Sequence, residues 1–118
     1  MTINKRASGA RGEDQAVDYL SKKGYRILER NFRFERGEID IVAEDNEVLV
    51  FVEVKARWNK SYGDPEDAIT MHKRTQIRTV AEGYLFKHNI DGKECRFDVV
   101  AIEYQKNGPL IRHIKNAF

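Results

Sequence analysis

The chain has one cysteine, two prolines and a single tryptophan in 118 residues. Cys95 has no second cysteine to pair with, so an intrachain disulfide is excluded and a reducing compartment, the cytoplasm, is expected. Three scattered histidines (His72, His88, His113) and one cysteine are too few donors for a structural zinc site. No apolar run approaches the roughly 20 residues that span a bilayer. The opening Met1-Thr2-Ile3-Asn4-Lys5-Arg6 has no apolar stretch to serve as a signal peptide. Neither a membrane protein nor a disulfide-stapled secreted fold is expected.

What is present is a charged chain with enough apolar residues for one core: 41% hydrophobic and 34% charged. At this length it forms a single domain over 1–118, with residues 1–7 as flexible chain. Net charge is only +2, but its distribution is uneven. Residues 37–54 carry six acids and no base, between segments in which Lys and Arg outnumber Asp and Glu. An acidic centre with a basic rim suits a cation site that attracts a polyanion. Solvated helix faces are often basic for no such reason.

Periodicity predicts the order α-β-β-β-α-β-β, a mixed sheet with helices packed on it. A first helix runs from Ser8 or Gly9 to Lys23 and stops at Gly24. Ala10, Ala16, Val17 and Leu20 share one arc of it, with Glu13 in the middle. A strand follows over 25–34, then a hairpin of 38–44 and 47–57 turning at Asp45-Asn46. A helical pattern extends from Pro65 to His88, with a possible break at which Thr70 caps a second piece. Its apolar stripe puts Lys73 toward the sheet. Residues 95–104 and 110–114 complete the strands.

The hairpin carries the chemistry. Asp40 interrupts one apolar strand; Glu53 and Lys55 interrupt the next. Charges in such strands cost several kcal/mol each unless compensated. Glu53 and Lys55 share a face with Leu49 and Phe51. Asp40 joins them only in some registers. A two-residue loop at Asp45-Asn46 sets it opposite Phe51, and a four-residue loop sets it opposite Glu53. A three-residue loop sends it to the other face. Brought together, the two carboxylates suit Mg²⁺ or Mn²⁺, which takes hard oxygen ligands and acidifies water beside a phosphate. Lys55 would then orient the nucleophile or stabilise transition-state charge, and Glu13 would supply a further acid. Buried ion pairs, Asp40 with Arg57 or Glu53 with Lys55, are the purely structural alternative.

An acid on one strand followed by Glu-x-Lys on the next resembles the PD-(D/E)xK nuclease pattern. The wider match is more specific. Arg11-Gly12-Glu13, Arg30-Asn31, Gly37-Glu38-Ile39-Asp40-Ile41-Val42, residues 50–57 and the closing Ile114-Lys115-Asn116-Ala117-Phe118 resemble the small bacterial YraN-like family. That family is similar to archaeal Holliday-junction resolvases. The resemblance implies a restriction-endonuclease-like αβββαβ core and a Mg²⁺- or Mn²⁺-dependent endonuclease acting on DNA, including branched or junction DNA. It also implies Asp40, Glu53 and Glu13 as metal ligands and Lys55 as catalytic lysine, and a homodimer would suit a resolvase-like role. The alternative is a catalytically silent nucleic-acid-binding module on the same fold.

Around this centre, Arg57, Lys73, Arg74, Arg11 and Tyr62 are the candidate nucleic-acid contacts. Trp58 and Tyr62 could stack on unpaired bases, although packing under the intervening loop is the commoner fate of such aromatics. Asp98, on an apolar strand, is expected to pair with Arg96 or Arg33. The histidines are expected to be superficial or satisfied, with His72 near enough to the basic helix start to touch a phosphate.

Overall fold

The computed structural model describes residues 5–58 and 69–118, and side chains from residue 11 onward within them. Its elements are α1 (Lys5–Lys22), β1 (Arg26–Phe34), β2 (Gly37–Asp45), β3 (Val48–Arg57), α2 (Met71–Lys87), β4 (Cys95–Gln105) and β5 (Gly108–Ile114). The strands form one sheet in the order β1-β2-β3-β4-β5. All neighbours are antiparallel except β3 and β4, which run parallel. Such a parallel pair needs a crossover, and α2 lies on it. The αβββαβ order with its mixed sheet is that of a restriction-endonuclease-like core, and β5 adds an antiparallel edge strand.

One helix covers each face. Ala16 and Leu20 of α1 pack with Ile41, Ala43, Val50, Val52, Val100 and Ile102. Ile77, Val80, Ala81 and Tyr84 of α2 pack with Phe32, Ile39, Val42, Leu49 and Phe51. The two central strands feed both layers by alternation, which is why their apolar runs are nearly continuous. Among the described residues no helix is long and apolar enough to cross a membrane.

Element ends differ from the pattern-based ones for local reasons. Helix α1 starts at Lys5, so residues 5–7 are helical rather than flexible chain; residues 1–4 lie outside the described residues. Its stop is the expected one. Gly24 adopts φ +92°, and Tyr25 N–H donates back to Leu20 O at 3.0 Å. Helix α2 starts at Met71, capped by Thr70, whose Oγ1 accepts from Lys73 N–H at 3.1 Å. The helical piece expected from Pro65 falls on residues 59–68, outside those described.

The hairpin turn sits one residue later than its sequence suggested. Asp45 pairs with Val48, leaving Asn46-Glu47 as the two-residue turn, with Asn46 in the left-handed region at φ 56°. The ladder then runs through Glu44–Leu49 and Val42–Phe51 to Ile41–Val52. One further step puts Asp40 across from Glu53, the register expected of a four-residue loop. Strict alternation fails at this point. Ile39 packs in the α2 layer and Ile41 in the α1 layer, although two residues apart. On the neighbouring strand Asn31 has φ 54°, so both strands turn at the same level.

Candidate active site

Asp40 stands where β2 and β3 stop exchanging backbone hydrogen bonds. Instead of a carbonyl, the Asp40 carboxylate takes the next amide: Val54 N–H donates to Oδ2 at 2.8 Å. Burial pushes the Asp40 carboxyl up; that amide opposes the rise, while the charges of Glu13 and Glu38 add to it. Glu53 is 7% exposed. Burial, then the nearby Asp40 charge, pushes its carboxyl up to about 7. Lys73 and Lys55 act against that rise, and each Nζ lies 3.9 Å from Glu53 Oε1. At that distance neither lysine makes a hydrogen bond. The other oxygen, Oε2, is buried with no hydrogen-bond partner among the described residues. Glu53 is thus a buried acid with two cations close by and one oxygen left over.

Of the residues picked from sequence, Asp40, Glu53, Lys55 and Lys73 are brought together. Glu13 arrives differently from expectation. Helix α1 covers the face opposite α2, and Glu13 Oε1 accepts from Arg30 Nε and Asn31 Nδ2, both at 2.9 Å. It acts on Asp40 through its charge and is held by β1 rather than standing on the Glu53 face. Asn31 can reach it because the left-handed residue interrupts β1 there. Among the described residues no three His, Cys, Asp or Glu side chains gather into a group that could hold a metal ion. Asp40 and Glu53 are the two carboxylates on one face, with Glu13 behind Asp40 and acting on it through its charge. Two carboxylates still fit a Mg²⁺ ion that keeps several waters. An orphaned buried carboxylate oxygen is the kind of group such an ion would satisfy.

Among the remaining candidates, Arg57 Nε and Nη2 and Arg74 Nε are buried without hydrogen-bond partners among the described residues. The Arg74 guanidinium lies over the Phe118 ring, 5.5 Å from its centroid. Arg11 lies over Tyr104 at 5.0 Å, on the α1 side of the sheet. Tyr62 lies outside the described residues. Trp58 is 55% exposed; the loop it was expected to pack under lies outside the described residues.

Asp98 is structural. It is fully buried, and it accepts from Arg96 Nε at 2.9 Å and from Asn116 N–H at 3.0 Å; His113 Nε2 lies 2.7 Å away. Burial alone would raise its carboxyl, but His113, Arg96 and Asn116 outweigh it and hold the group below its ordinary value. The strand pairing puts it beside Val52, in the α1 layer, away from the Glu53 face.

Two residues near the site have roles that sequence reading missed. Glu38 was seen only as part of a motif, yet its charge acts on both Asp40 and Glu53. Lys73, a candidate phosphate contact from its sequence position, stands as close to Glu53 as Lys55 does. Its place in the apolar stripe of α2 was the available signal.

Glu13, Asp40, Glu53, Lys55 and Lys73 all fall within the span, 12–102, that matches the model of the uncharacterised protein family UPF0102. A UPF0102 protein of Persephonella marina is 51% identical over 110 residues, covering 93% of this chain and 91% of its own. One from Geobacter metallireducens is 46% identical over 118 residues, covering 100% and 97%. One from Moorella thermoacetica is 42% identical over 120 residues and covers both chains completely. With this much of each chain shared from end to end, the protein belongs to the UPF0102 family.

Proposed function

We propose that this chain is a divalent-metal-dependent endonuclease of the PD-(D/E)xK type that hydrolyses phosphodiester bonds in DNA. The observation that carries the reading is Glu53: a buried carboxylate with one oxygen unpartnered, across from a second carboxylate and within 3.9 Å of two lysines. A structural ion pair would be expected to satisfy both oxygens at closer range. A phosphoryl-transfer site needs acids for a cation and free cations for the phosphate.

In this reading Asp40 and Glu53 hold Mg²⁺ or Mn²⁺, which supplies acidified water and positive charge beside the scissile phosphate. Val54 N–H fixes the Asp40 carboxylate. Arg30 and Asn31 fix Glu13 behind it, where its charge keeps the neighbourhood attractive to a cation. Lys55 stands beside Glu53 to orient the attacking water and to stabilise charge on the phosphate. Lys73 approaches the same oxygen from α2 and meets the phosphate from the opposite side. Arg57 continues along β3 two residues beyond Lys55, on the same face, as a further positive charge near the phosphate backbone.

One observation favours the alternative, a nucleic-acid-binding module without catalysis: no three metal-ligating groups gather among the described residues. A calorimetric Mn²⁺ titration of wild type and Asp40→Ala, run beside a cleavage assay on branched and linear DNA, separates the two. The nuclease reading expects a wild-type binding heat that the variant lacks, and cleavage lost in Asp40→Ala, Glu53→Ala and Lys55→Ala. Salt-sensitive DNA binding with neither Mn²⁺ heat nor cleavage would favour the silent module.

A further inference from the structure

Where β3 ends, an exposed aromatic is held rigidly at the surface. The Trp58 ring stacks, tilted by 37°, on the buried ring of Tyr104, 5.2 Å between centroids. Tyr104 is itself fixed, its hydroxyl donating to Gln15 Oε1 at 2.7 Å. The Arg11 guanidinium shares that tyrosine ring at 5.0 Å. Gly12 makes the arrangement possible. A Cβ there would lie 2.8 Å from Ala56 Cβ, so only glycine lets α1 approach β3 closely enough to bring Arg11 beside Tyr104. The result is an indole supported from below, with one cation beside it.

We propose that Trp58 is a stacking site for an unpaired base of a DNA strand, with Arg11 taking a flanking phosphate. This rests on the nucleic-acid reading above and adds a substrate class to it: DNA with single-stranded character near the scissile bond. An exposed indole on a rigid support presents a π-face at little entropic cost, and basic side chains beside an aromatic are the usual partners of a single strand. Arg11 also lines a groove of about 450 Å³ between α1 and β5. The acids of that groove, Asp14 and Asp18, are paired with Arg30 and Lys22, so they leave the Arg11 charge uncancelled. Trp58 is five residues beyond Glu53, about 17 Å along the strand at roughly 3.3 Å per residue, and the odd spacing leaves Trp58 on the α1 face and Glu53 on the α2 face, so a DNA strand that reaches both passes around the end of β3. A stacked strand advances about 3.4 Å per nucleotide, so that path separates the stacked base from the carboxylate pair by at least about five nucleotides.

The chain's single tryptophan makes the test direct. The probes are (dT)12 and a blunt 12-base-pair duplex, added in EDTA so that no cleavage occurs. Saturable quenching of tryptophan fluorescence is expected with (dT)12 and little with the duplex. By fluorescence anisotropy of labelled DNA, Trp58→Ala should weaken (dT)12 binding about tenfold, with less than twofold change for the duplex. Trp58→Phe should keep most of the affinity and rules out misfolding as the cause. Equal quenching by both DNAs, or unchanged (dT)12 affinity in Trp58→Ala, overturns the proposal. The outcome is separable from the nuclease reading. Stacking without Mn²⁺-dependent cleavage leaves this site standing and removes the catalysis; cleavage with no dependence on Trp58 does the reverse.

Discussion

Val54 N–H donates to Asp40 Oδ2 at 2.8 Å, at the level where the backbone ladder between β2 and β3 ends. One carboxylate thus both closes the sheet and faces Glu53. The two roles separate by substitution. Asp40→Asn keeps an acceptor for Val54 but removes the charge next to Glu53, so it should be at least as stable as wild type. Asp40→Ala orphans a partly buried amide and should be less stable than Asp40→Asn by about 1 kcal/mol. Both should lose Mn²⁺ binding. Urea unfolding at pH 7.5 with parallel calorimetry gives all four numbers; equal stability of the two variants would remove the structural role of Asp40.

Glu53 predicts a stability that falls as pH rises. Its folded carboxyl is pushed up to about 7 from an ordinary 4.5. Between those values the folded state binds more protons than the unfolded one, so the slope of unfolding free energy with pH is negative. The penalty is absent below about pH 4.5, grows to pH 7 and is constant beyond, with a ceiling of about 3 kcal/mol. Asp40, shifted in the same direction, adds to it. Glu53→Gln should therefore raise the melting temperature at pH 8 and do little at pH 5. A variant equally stabilised at both values would show that Glu53 is not the group responsible.

Gly83 lies on the buried side of α2, and two opposed effects meet there. Alanine in an exposed helix interior gains about 1 kcal/mol over glycine. At this position a Cβ would come within 2.4 to 2.6 Å of three ring carbons of Phe34. Overpacking of that kind costs about 1–3 kcal/mol, so Gly83→Ala should destabilise. Chemical denaturation checks the sign, and a gain in stability would mean that Phe34 turns away freely.

Asp98 should behave as a strut with no part in catalysis. Asp98→Ala leaves Arg96 and His113 without their shared acid, and breaking a buried pair of this kind costs about 3–5 kcal/mol. The Asp98 carboxyl is held below its ordinary 3.8. It therefore contributes stability above that value, and the contribution is lost as pH falls through the lower folded one. Mn²⁺ binding measured at a temperature where the variant remains folded should match wild type. Loss of binding there would mean that the α1 layer and the carboxylate pair are coupled.

The sequence showed clearly whatever a single element decides. Alternation marked the strands, Thr70 marked the cap of α2 and Gly24 the end of α1. The Glu53-Lys55 face followed from period two, and Lys73 from the helical stripe. What escaped depends on contacts between elements. The turn was misplaced by one because Asn46, not Asp45, takes the left-handed conformation, while the Asp45 carboxylate lies 3.3 Å from Arg96 on β4. No local rule predicts that pair. Likewise, the partners of Glu13 depend on a left-handed Asn31 within β1, where an extended residue was expected. The face of α1 could not be assigned from its own arc, since both faces of the sheet are apolar.

The parallel pairing of β3 with β4 also sets the order in which the site can assemble. Strands β2 and β3 are joined by a two-residue turn, so the acids can meet in a hairpin, which forms in about 1–10 μs. Lys73 rides on the crossover and arrives only when that long connection closes, an intrinsically slow step. Asp40 and Glu53 must therefore wait together without one of their cations, and their repulsion falls on the folding barrier. We expect refolding in stopped-flow mixing to be faster at pH 5.5 than at pH 8, and Glu53→Gln to abolish most of the difference. Equal pH dependence in both proteins would show that the acids come together only after the crossover has closed.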